Sequence, residues 1–206
     1  MEKRKKVVLA TGILAFVFLS VAGLSQAGRL PDRIVLNTVG QPSVGTGVVE
    51  LVVFEDLCCT NCRVFAEEVL PLISSQFIET GRARLTVIPV AFGEHSKPLA
   101  NAALGVYKMA PDRFIPFLLE LLHSQASDRE GILKVAKKVG GIDLVTLAYC
   151  VDHHLYYQEI DQNLIWAKRL MGEEFGTPTL FVDGIMTSTA SFEDLSERME
   201  QVERQK

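Results

Sequence analysis

The sequence predicts a three-layer α/β domain with a helical insertion. A short apolar run rich in β-branched residues, from Val48 to Phe54, is typical of a buried strand with parallel neighbours. An apolar pattern with helical spacing follows this strand and begins at Phe65. Strand-like sequence returns at residues 84–92 and again at residues 176–188, and a long helical block separates these two segments.

The N-terminus has the pattern of an export signal. Residues 2–6 are net positive, residues 7–24 carry no charge, and Ser25-Gln26-Ala27 places small residues where a signal peptidase cuts. We predict that residues 1–27 are a signal peptide. The uncharged stretch also reaches the ~18 residues of a membrane-spanning helix, so a retained N-terminal anchor is the alternative. The positive-inside rule places the rest of the chain in the periplasm or another extracytoplasmic space in both cases.

The remaining residues, 28–206, have the length of one domain with a sizeable core. The formal net charge of the whole chain is -4, and no large cluster of Lys and Arg lies outside the signal, which argues against a nucleic-acid partner. The chain has 4 cysteines, too few for a disulfide-stapled scaffold of this length. In an oxidising compartment, redox chemistry is the natural use of a closely spaced pair.

Residues 28–47 are predicted to be a loosely attached leading segment, rich in Gly and Pro, before the domain at 48–206. One edge strand is expected at Ile34-Val35-Leu36. The segment Gly45-Thr46-Gly47 precedes a strand instead of following one, so it does not predict a phosphate-binding loop.

The helix after the first strand is predicted to present one apolar face and to kink at Pro71, which cannot donate a backbone hydrogen bond. The residues of that face are Phe65, Val69, Leu72, Ile73 and Phe77. A second strand is expected at residues 84–92, where Pro89 indicates an edge position or the end of the strand.

The helical insertion is predicted to span about residues 96–172. Its helices are expected to start near Lys97-Pro98, at Pro111, at a capping box beginning with Ser127, at Asp143 and near Leu155. A β-hairpin with an Asp183-Gly184 turn follows the insertion. Ser191 then caps a terminal helix whose apolar face contains Leu195, Met199 and Val202.

The motif Cys59-Thr60-Asn61-Cys62 lies where the first strand turns into a helix. Unpaired N–H groups and the helix dipole favour a thiolate in the first helical turn. The dipole is worth about 0.3–2 kcal/mol, which lowers a cysteine pKa by up to roughly one and a half units. We expect Cys59 to be exposed at the helix end and Cys62 to be tucked beneath it, close enough for a disulfide.

The neighbours of the motif define the expected environment of the thiolate. Thr60 and Asn61 offer neutral hydrogen-bond donors, whereas Asp56 and Glu55 oppose negative charge. We interpret these two acids as solvated or helix-start residues, and a proton-transfer role for Cys62 is the alternative. Cys58 is either a buried spectator or a third competing thiol, and both readings remain open.

Cys150 shares an apolar helical face with Leu147 and Val151, which predicts a buried structural thiol. His153 and His154 are expected to lie at the surface. Adjacent histidines do not share one helical face, and this argues against a metal site formed by the pair.

The order of strand, CxxC motif, helix, strand, helical insertion, Gly-Thr-Pro-Thr, β-hairpin and helix resembles the thioredoxin superfamily, and most of all its DsbA-like thiol-disulfide oxidoreductases. The resemblance covers about Val48 to Val202. It implies that Cys59 is the attacking cysteine and Cys62 the resolving cysteine. It also implies that Thr177-Pro178 forms the cis-proline loop that presents its backbone to a substrate strand.

Two positions depart from the DsbA pattern. The strongly oxidising members place Pro-His between the cysteines, where this chain has Thr60-Asn61. The archetypal DsbA also has an acid in the preceding strand, at the position that Val53 occupies here. The resemblance therefore supports the chemistry and leaves its direction open.

Together these features predict an exported thiol-disulfide oxidoreductase that needs no cofactor and no metal. Its partners would be cysteine-containing exported proteins and a membrane or soluble redox partner. Two other functions stay open: a zinc-binding protein that uses Cys59, Cys62, Cys150 and His153 as ligands, and a non-catalytic chaperone on a thioredoxin scaffold.

Overall fold

The computed structural model of the protein describes residues 33–206. The predicted signal peptide or anchor at residues 1–27 lies outside this range. From Ile34 to Lys206 the chain forms one unit around a mixed sheet. No helix within residues 33–206 combines the length and the apolar character that a membrane crossing requires.

The sheet has five strands in the described chain: β1 (Ser43–Val44), β2 (Val49–Asp56), β3 (Ala83–Val90), β4 (Thr179–Val182) and β5 (Ile185–Met186). Their spatial order is β1-β3-β2-β4-β5. β2 lies at the centre because it pairs in parallel with β3 and antiparallel with β4. Almost every residue of β2 is buried, as the sequence predicts for this run.

The two faces of β2 contact different parts of the core. Leu51 and Val53 pack into the larger cluster, which includes Cys62. Val52 and Phe54 belong to a second cluster on the opposite face, where the Phe54 ring lies 5.2 Å from that of Trp166. Helices therefore cover both faces of the sheet, and the prediction of a three-layer domain is confirmed.

The chain after β2 alternates between two helical hydrogen-bond patterns. Helix α1 (Thr60–Val64) leads into a π-helical segment (Phe65–Val69), helix α2 (Leu70–Ile73) and a second π-helical segment (Ser74–Ile78). The sequence predicts a kink at Pro71, and the backbone hydrogen bonds change pattern on both sides of α2, which contains this residue.

The π-helical segments also correct the predicted apolar face. Leu72 is 43% exposed, whereas Leu70 and Ile78, which the helical spacing leaves out, are buried. A π-helical turn holds more residues than an α-helical turn, so it rotates the following side chains away from the α-helical register.

The predicted helical insertion is present between β3 and β4. It consists of α3 (Lys97–Met109), a 3₁₀ turn (Pro111–Arg113), α4 (Phe114–Ser124), α5 (Arg129–Val139), α6 (Leu144–Asp152) and α7 (Tyr157–Met171). Asp143 caps α6 as predicted, because its carboxylate accepts hydrogen bonds from the Val145 and Thr146 amides. The cap of α5 is Asp128, which accepts from the Gly131 amide, so the prediction of Ser127 is wrong by one residue.

The C-terminal elements follow the prediction. Asp183 and Gly184 both have positive φ and form the turn between β4 and β5. Helix α8 (Phe192–Glu203) begins after Ser191, whose hydroxyl accepts a hydrogen bond from the Asp194 amide. The predicted apolar face of α8 is buried.

The predicted edge strand at residues 34–36 is wrong. The strand of this region is β1, which pairs antiparallel with β3. Gly47 then passes so close to β3 that an added Cβ would lie 2.1 Å from the Ala83 amide nitrogen. The glycine therefore permits a tight backbone approach between this segment and β3.

Candidate active site

Cys59 lies at the N-cap of α1, directly after the central strand. Its side chain is partly exposed, whereas Cys62, one turn later, is fully buried. Both are free thiols in this structure. This arrangement agrees with the prediction that Cys59 lies at the accessible end of the helix and Cys62 lies beneath it.

The loop before β4 meets the motif from the other side. The Sγ atom of Cys59 lies 3.2 Å from the carbonyl oxygen of Thr177, and the thiol donates a hydrogen bond to this oxygen when it is protonated. The Thr177-Pro178 peptide bond is cis, as the sequence resemblance implies. The pairing of Phe54 with Thr179 sets this contact, because it places the end of β2 beside the start of β4.

Hydrogen bonds lower the pKa of Cys59 to about 5. The largest cause is the hydrogen bond from the Cys62 thiol, and partial burial of Cys59 opposes it. The Thr177 side chain and the backbone amides of Cys62 and Asn61 lower the pKa further. Asn61 thus acts through its backbone, and the exposed Thr60 side chain is not among the stabilising groups.

The pKa of Cys62 is shifted far above its ordinary value. Burial is the main cause, followed by the hydrogen bond that this thiol gives to Cys59 and by the nearby Glu55 carboxyl group. The pKa values of the two thiols therefore lie on opposite sides of the ordinary cysteine value. At neutral pH Cys59 is a thiolate and Cys62 keeps its proton.

The interpretation of Glu55 and Asp56 as solvated acids is wrong. The two residues are 2% and 4% exposed, because β2 extends through both of them and pairs with β3 as far as Val90. Asp56 is fully engaged: its carboxylate accepts hydrogen bonds from the Cys58 amide at 2.8 Å, the Phe92 amide at 2.9 Å and the Ser96 hydroxyl at 3.0 Å.

Unlike Asp56, Glu55 has a strongly raised pKa and a carboxylate oxygen without a hydrogen-bond partner in the described residues. Burial raises its pKa to about 8, and the charges of Cys59 and Asp56 add to the shift. Within the described part of the chain, its Oε1 atom is buried without a hydrogen-bond partner. The sequence carries one signal for this residue: a period of two along β2 places Glu55 on the same face as the buried Val53.

Cys58 is exposed, so its reading as a buried spectator is wrong. Its Sγ lies 3.9 Å from the His95 carbonyl oxygen. Partial burial and the Asp56 charge raise the pKa of Cys58. Cys58 and Cys59 together line a groove of about 220 Å³ that extends to Gln125 after α4.

Cys150 is buried in α6, as predicted, and its thiol lies 3.7 Å from the Asn101 carbonyl oxygen. Burial raises its pKa to about 11. Both histidines, 153 and 154, are exposed. Within residues 33–206, no three or more His, Cys, Asp or Glu side chains are grouped so that they could hold a metal ion.

The fold and the site define a thioredoxin-like protein with a dithiol at a strand-to-helix junction, and comparisons with known proteins agree. A family model described as thioredoxin matches residues 40–201. The chain is 28% identical to disulfide bond formation protein D of Bacillus subtilis over 171 residues, 78% of this chain and 76% of that protein.

Solved structures give the same result. The fold matches that of Chlamydia trachomatis DsbA with a TM-score of 0.75 and 26% identity, over 86% of this chain and 99% of that one. It matches oxidised BdbD of Bacillus subtilis with a TM-score of 0.76 and 24% identity, over 84% of this chain and 100% of the other, a likeness of fold. The chain belongs to the thioredoxin family, and within it to the DsbA-like thiol-disulfide oxidoreductases.

Proposed function

We propose that the protein exchanges disulfides with cysteines of exported proteins, through Cys59 and a mixed-disulfide intermediate. One observation carries this proposal: Cys59 is partly exposed with a pKa of about 5, while the pKa of the buried Cys62 is strongly raised. An accessible thiolate and a covered, protonated thiol suit the attacking and resolving roles.

The exchange runs in both directions. When the Cys59–Cys62 disulfide is the oxidant, a substrate thiolate attacks Cys59 Sγ, the Cys59–Cys62 bond breaks, and Cys62 leaves and takes up a proton. A second substrate thiolate then attacks the substrate sulfur and releases Cys59 as a thiolate. In the reduced protein, Cys59 attacks a substrate disulfide and Cys62 displaces the product. The direction depends on the redox partner.

The position of the Thr177 backbone supports a role in substrate binding. Its carbonyl oxygen lies beside the Cys59 thiol, so an extended substrate segment that reaches Cys59 also passes this loop. The pattern of residues 1–27 and the dithiol together support a periplasmic or other extracytoplasmic location. There, a membrane or soluble partner would restore the redox state of Cys59 and Cys62 after each turnover.

Substitution of the resolving cysteine tests the proposal. Cys62→Ser should accumulate mixed disulfides when the protein is mixed with a disulfide-bonded substrate, because only the resolving step is lost. Mass spectrometry of the trapped adducts should place them on Cys59. Cys150→Ser is the matched control and should turn over without trapping.

Two results would contradict the proposal. Adducts found mainly on Cys58 or Cys150 would show that the attacking thiol is not Cys59. Full activity in Cys59→Ser, measured on a folding substrate, would favour the non-catalytic chaperone.

A further inference from the structure

Cys59 lines a groove that is separate from the one lined by Thr177 and Pro178. Helix α1 contributes Arg63 to the groove at Cys59, and the segment after α4 contributes Gln125. The volume of about 220 Å³ is below the ~300–1,000 Å³ that is typical of small-molecule sites. The groove therefore suits one or two side chains of a bound protein segment.

Arg63 is the charged side chain of this groove. Apart from Arg63 and the cysteines 58 and 59, the lining residues in the described chain are neutral: Leu57, Thr60, Leu122, Gln125, Ala126 and Ser127. Arg63 is partly buried, and within residues 33–206 its guanidinium group forms no ion pair, hydrogen bond or aromatic contact. Such a cation has lost part of its hydration without gaining a protein partner, which favours the binding of an anionic group.

The carboxylates near Arg63 are engaged with other groups. Glu67 follows one helical turn later, at the usual spacing for an ion pair, but its Oε1 atom lies 3.0 Å from the Nδ1 atom of His123 on α4. Asp128, at the start of α5, accepts a hydrogen bond from the Gly131 amide at 2.8 Å. The positive charge of Arg63 is therefore available to a group from another molecule.

A substrate that reaches Cys59 also comes close to this groove. It passes the Thr177 carbonyl oxygen, 3.2 Å from the Cys59 Sγ atom, and Cys59 itself lines the groove. An extended segment advances ~3.3 Å per residue, so the groove can receive side chains within about three residues of the substrate cysteine. A guanidinium group binds a carboxylate through two parallel hydrogen bonds, and Asp or Glu is therefore the matching side chain.

We propose that Arg63 determines substrate specificity by binding an acidic side chain close to the reactive cysteine of the substrate. The inference rests on the proposed function, because it names a substrate class for that exchange: exported proteins with Asp or Glu within about three residues of a cysteine. Arg63 takes no part in the transfer of electrons or protons. It is also not among the groups that shift the pKa of Cys59, so its role is to bind the substrate and not to activate the thiolate.

The test measures how fast synthetic peptides reduce the Cys59–Cys62 disulfide of the oxidised protein. Each peptide carries one cysteine, with either Glu or Gln at one position within about three residues of it. At the best position, the ratio of the Glu rate to the Gln rate should be roughly two- to fivefold higher in the wild type than in Arg63→Gln. The comparison of ratios cancels intrinsic differences in thiol reactivity between the peptides.

Two further variants sharpen the test. Arg63→Glu should lower the ratio below that of Arg63→Gln, because it would repel the acidic peptide. Arg84→Gln is the matched control and should keep the wild-type ratio. It removes the same charge, but Arg84 pairs with Glu50 at 3.1 Å, and both residues lie at the end of their strands away from Cys59. The same ratio in the wild type and in Arg63→Gln would overturn the proposal.

A second measurement needs no variant. The formal net charge of -4 repels acidic peptides, so added salt should raise the ratio of Glu to Gln rates if overall charge alone acted. Pairing with Arg63 predicts the opposite, a ratio that falls as ionic strength rises from about 0.01 M to about 1 M. A constant or rising ratio would overturn the proposal and leave the exchange chemistry intact. If no peptide reduced the Cys59–Cys62 disulfide, the proposed function itself would fail, so the two failures are distinguishable.

Discussion

The Sγ atom of Cys59 lies 3.2 Å from the carbonyl oxygen of Thr177, although 118 positions of sequence separate the two residues. Local sequence places Cys59, since β2 ends just before it. The antiparallel pairing of β2 with β4 places Thr177. The groups that stabilise the Cys59 thiolate therefore come from two distant parts of the sequence. The pairing of β2 with β4 brings them together.

The first prediction concerns the reactivity of the individual thiols. In the reduced protein, alkylation of Cys59 by iodoacetamide should rise with pH around a midpoint near 5 and then level off, because its pKa is lowered and the thiolate is present above that pH. Cys58 should react only at higher pH, since its pKa is raised. Mass spectrometry of each peptide measures this. A low-pH phase that persists in Cys59→Ser would contradict the assignment.

Asp56 gives a prediction about stability. Asp56→Asn should lower the free energy of unfolding by about 1–3 kcal/mol, because an amide NH₂ group would face other donors where one carboxylate oxygen now accepts hydrogen bonds. Urea unfolding at neutral pH measures the loss. The control Ser96→Ala removes one of the three hydrogen bonds and should cost less, about 0.5–1.5 kcal/mol. Equal losses in the two variants would contradict the role of Asp56 as a shared acceptor.

Asp56 also shows where sequence reasoning stops. The buried run of β2, the CxxC position and the Asp183-Gly184 turn depend on local patterns, and local patterns predict them. The burial of Glu55 and Asp56 depends on how far the partner strand extends, and β3 pairs with β2 as far as Val90. From the sequence alone, two acids at the end of an apolar run suggest side chains exposed to solvent. Their burial becomes evident only when the length of the paired strand β3 is known.

The π-helical segments after α1 illustrate the same limit within one helix. Helical spacing predicts Leu72 in the core, but a π-helical turn between residues 65 and 69 shifts the register of the residues that follow. Pro71 signals a departure from α-helical geometry without specifying its form. The hydrophobic pattern therefore predicts the helix and the burial of Phe65, Ile73 and Phe77, but it misses the buried Leu70 and Ile78.

The reduced protein should have a stability profile set by two opposing groups. The pKa of Cys59 is lowered from 9.0, so its thiolate stabilises the folded state increasingly as pH rises above about 5. The pKa of Glu55 is raised from 4.5, so the folded state loses stability as pH rises from there towards 8. Cys59→Ser should therefore make the free energy of unfolding fall more steeply between these pH values. Urea unfolding under reducing conditions tests this, and a shallower fall would contradict it.

Cys150 yields a prediction that separates structure from redox chemistry. An added Cβ at Gly105 would lie 2.7 Å from the Cys150 Sγ atom. Gly105→Ala should therefore destabilise the protein by about 1–3 kcal/mol through overpacking, less any gain in helix propensity. Adding Cys150→Ala should recover part of the loss, and a double-mutant cycle measures that coupling. Exchange activity should stay unchanged in Cys150→Ala, and a loss of activity would contradict a purely structural thiol.

The last prediction is the reduction potential of the Cys59–Cys62 disulfide. A cysteine pKa of about 5 lies between those of thioredoxin, about 7, and DsbA, about 3.5, and a more stable thiolate favours the reduced form. The charge of Asp56 raises the pKa of Cys58, and it is not among the groups that shift the pKa of Cys59. The nearby Arg63 is not among the groups that stabilise the Cys59 thiolate either. We therefore expect a potential between about −270 and −120 mV.

Glutathione buffers, followed by alkylation of free thiols, measure this potential. Cys58→Ser is the control, because it removes the exposed thiol that could form competing disulfides. The variant and the wild type should give the same value if the Cys59–Cys62 pair alone is titrated. A potential as oxidising as that of DsbA would contradict the argument, because it would require thiolate stabilisation beyond the hydrogen bonds from Cys62, Thr177 and Asn61.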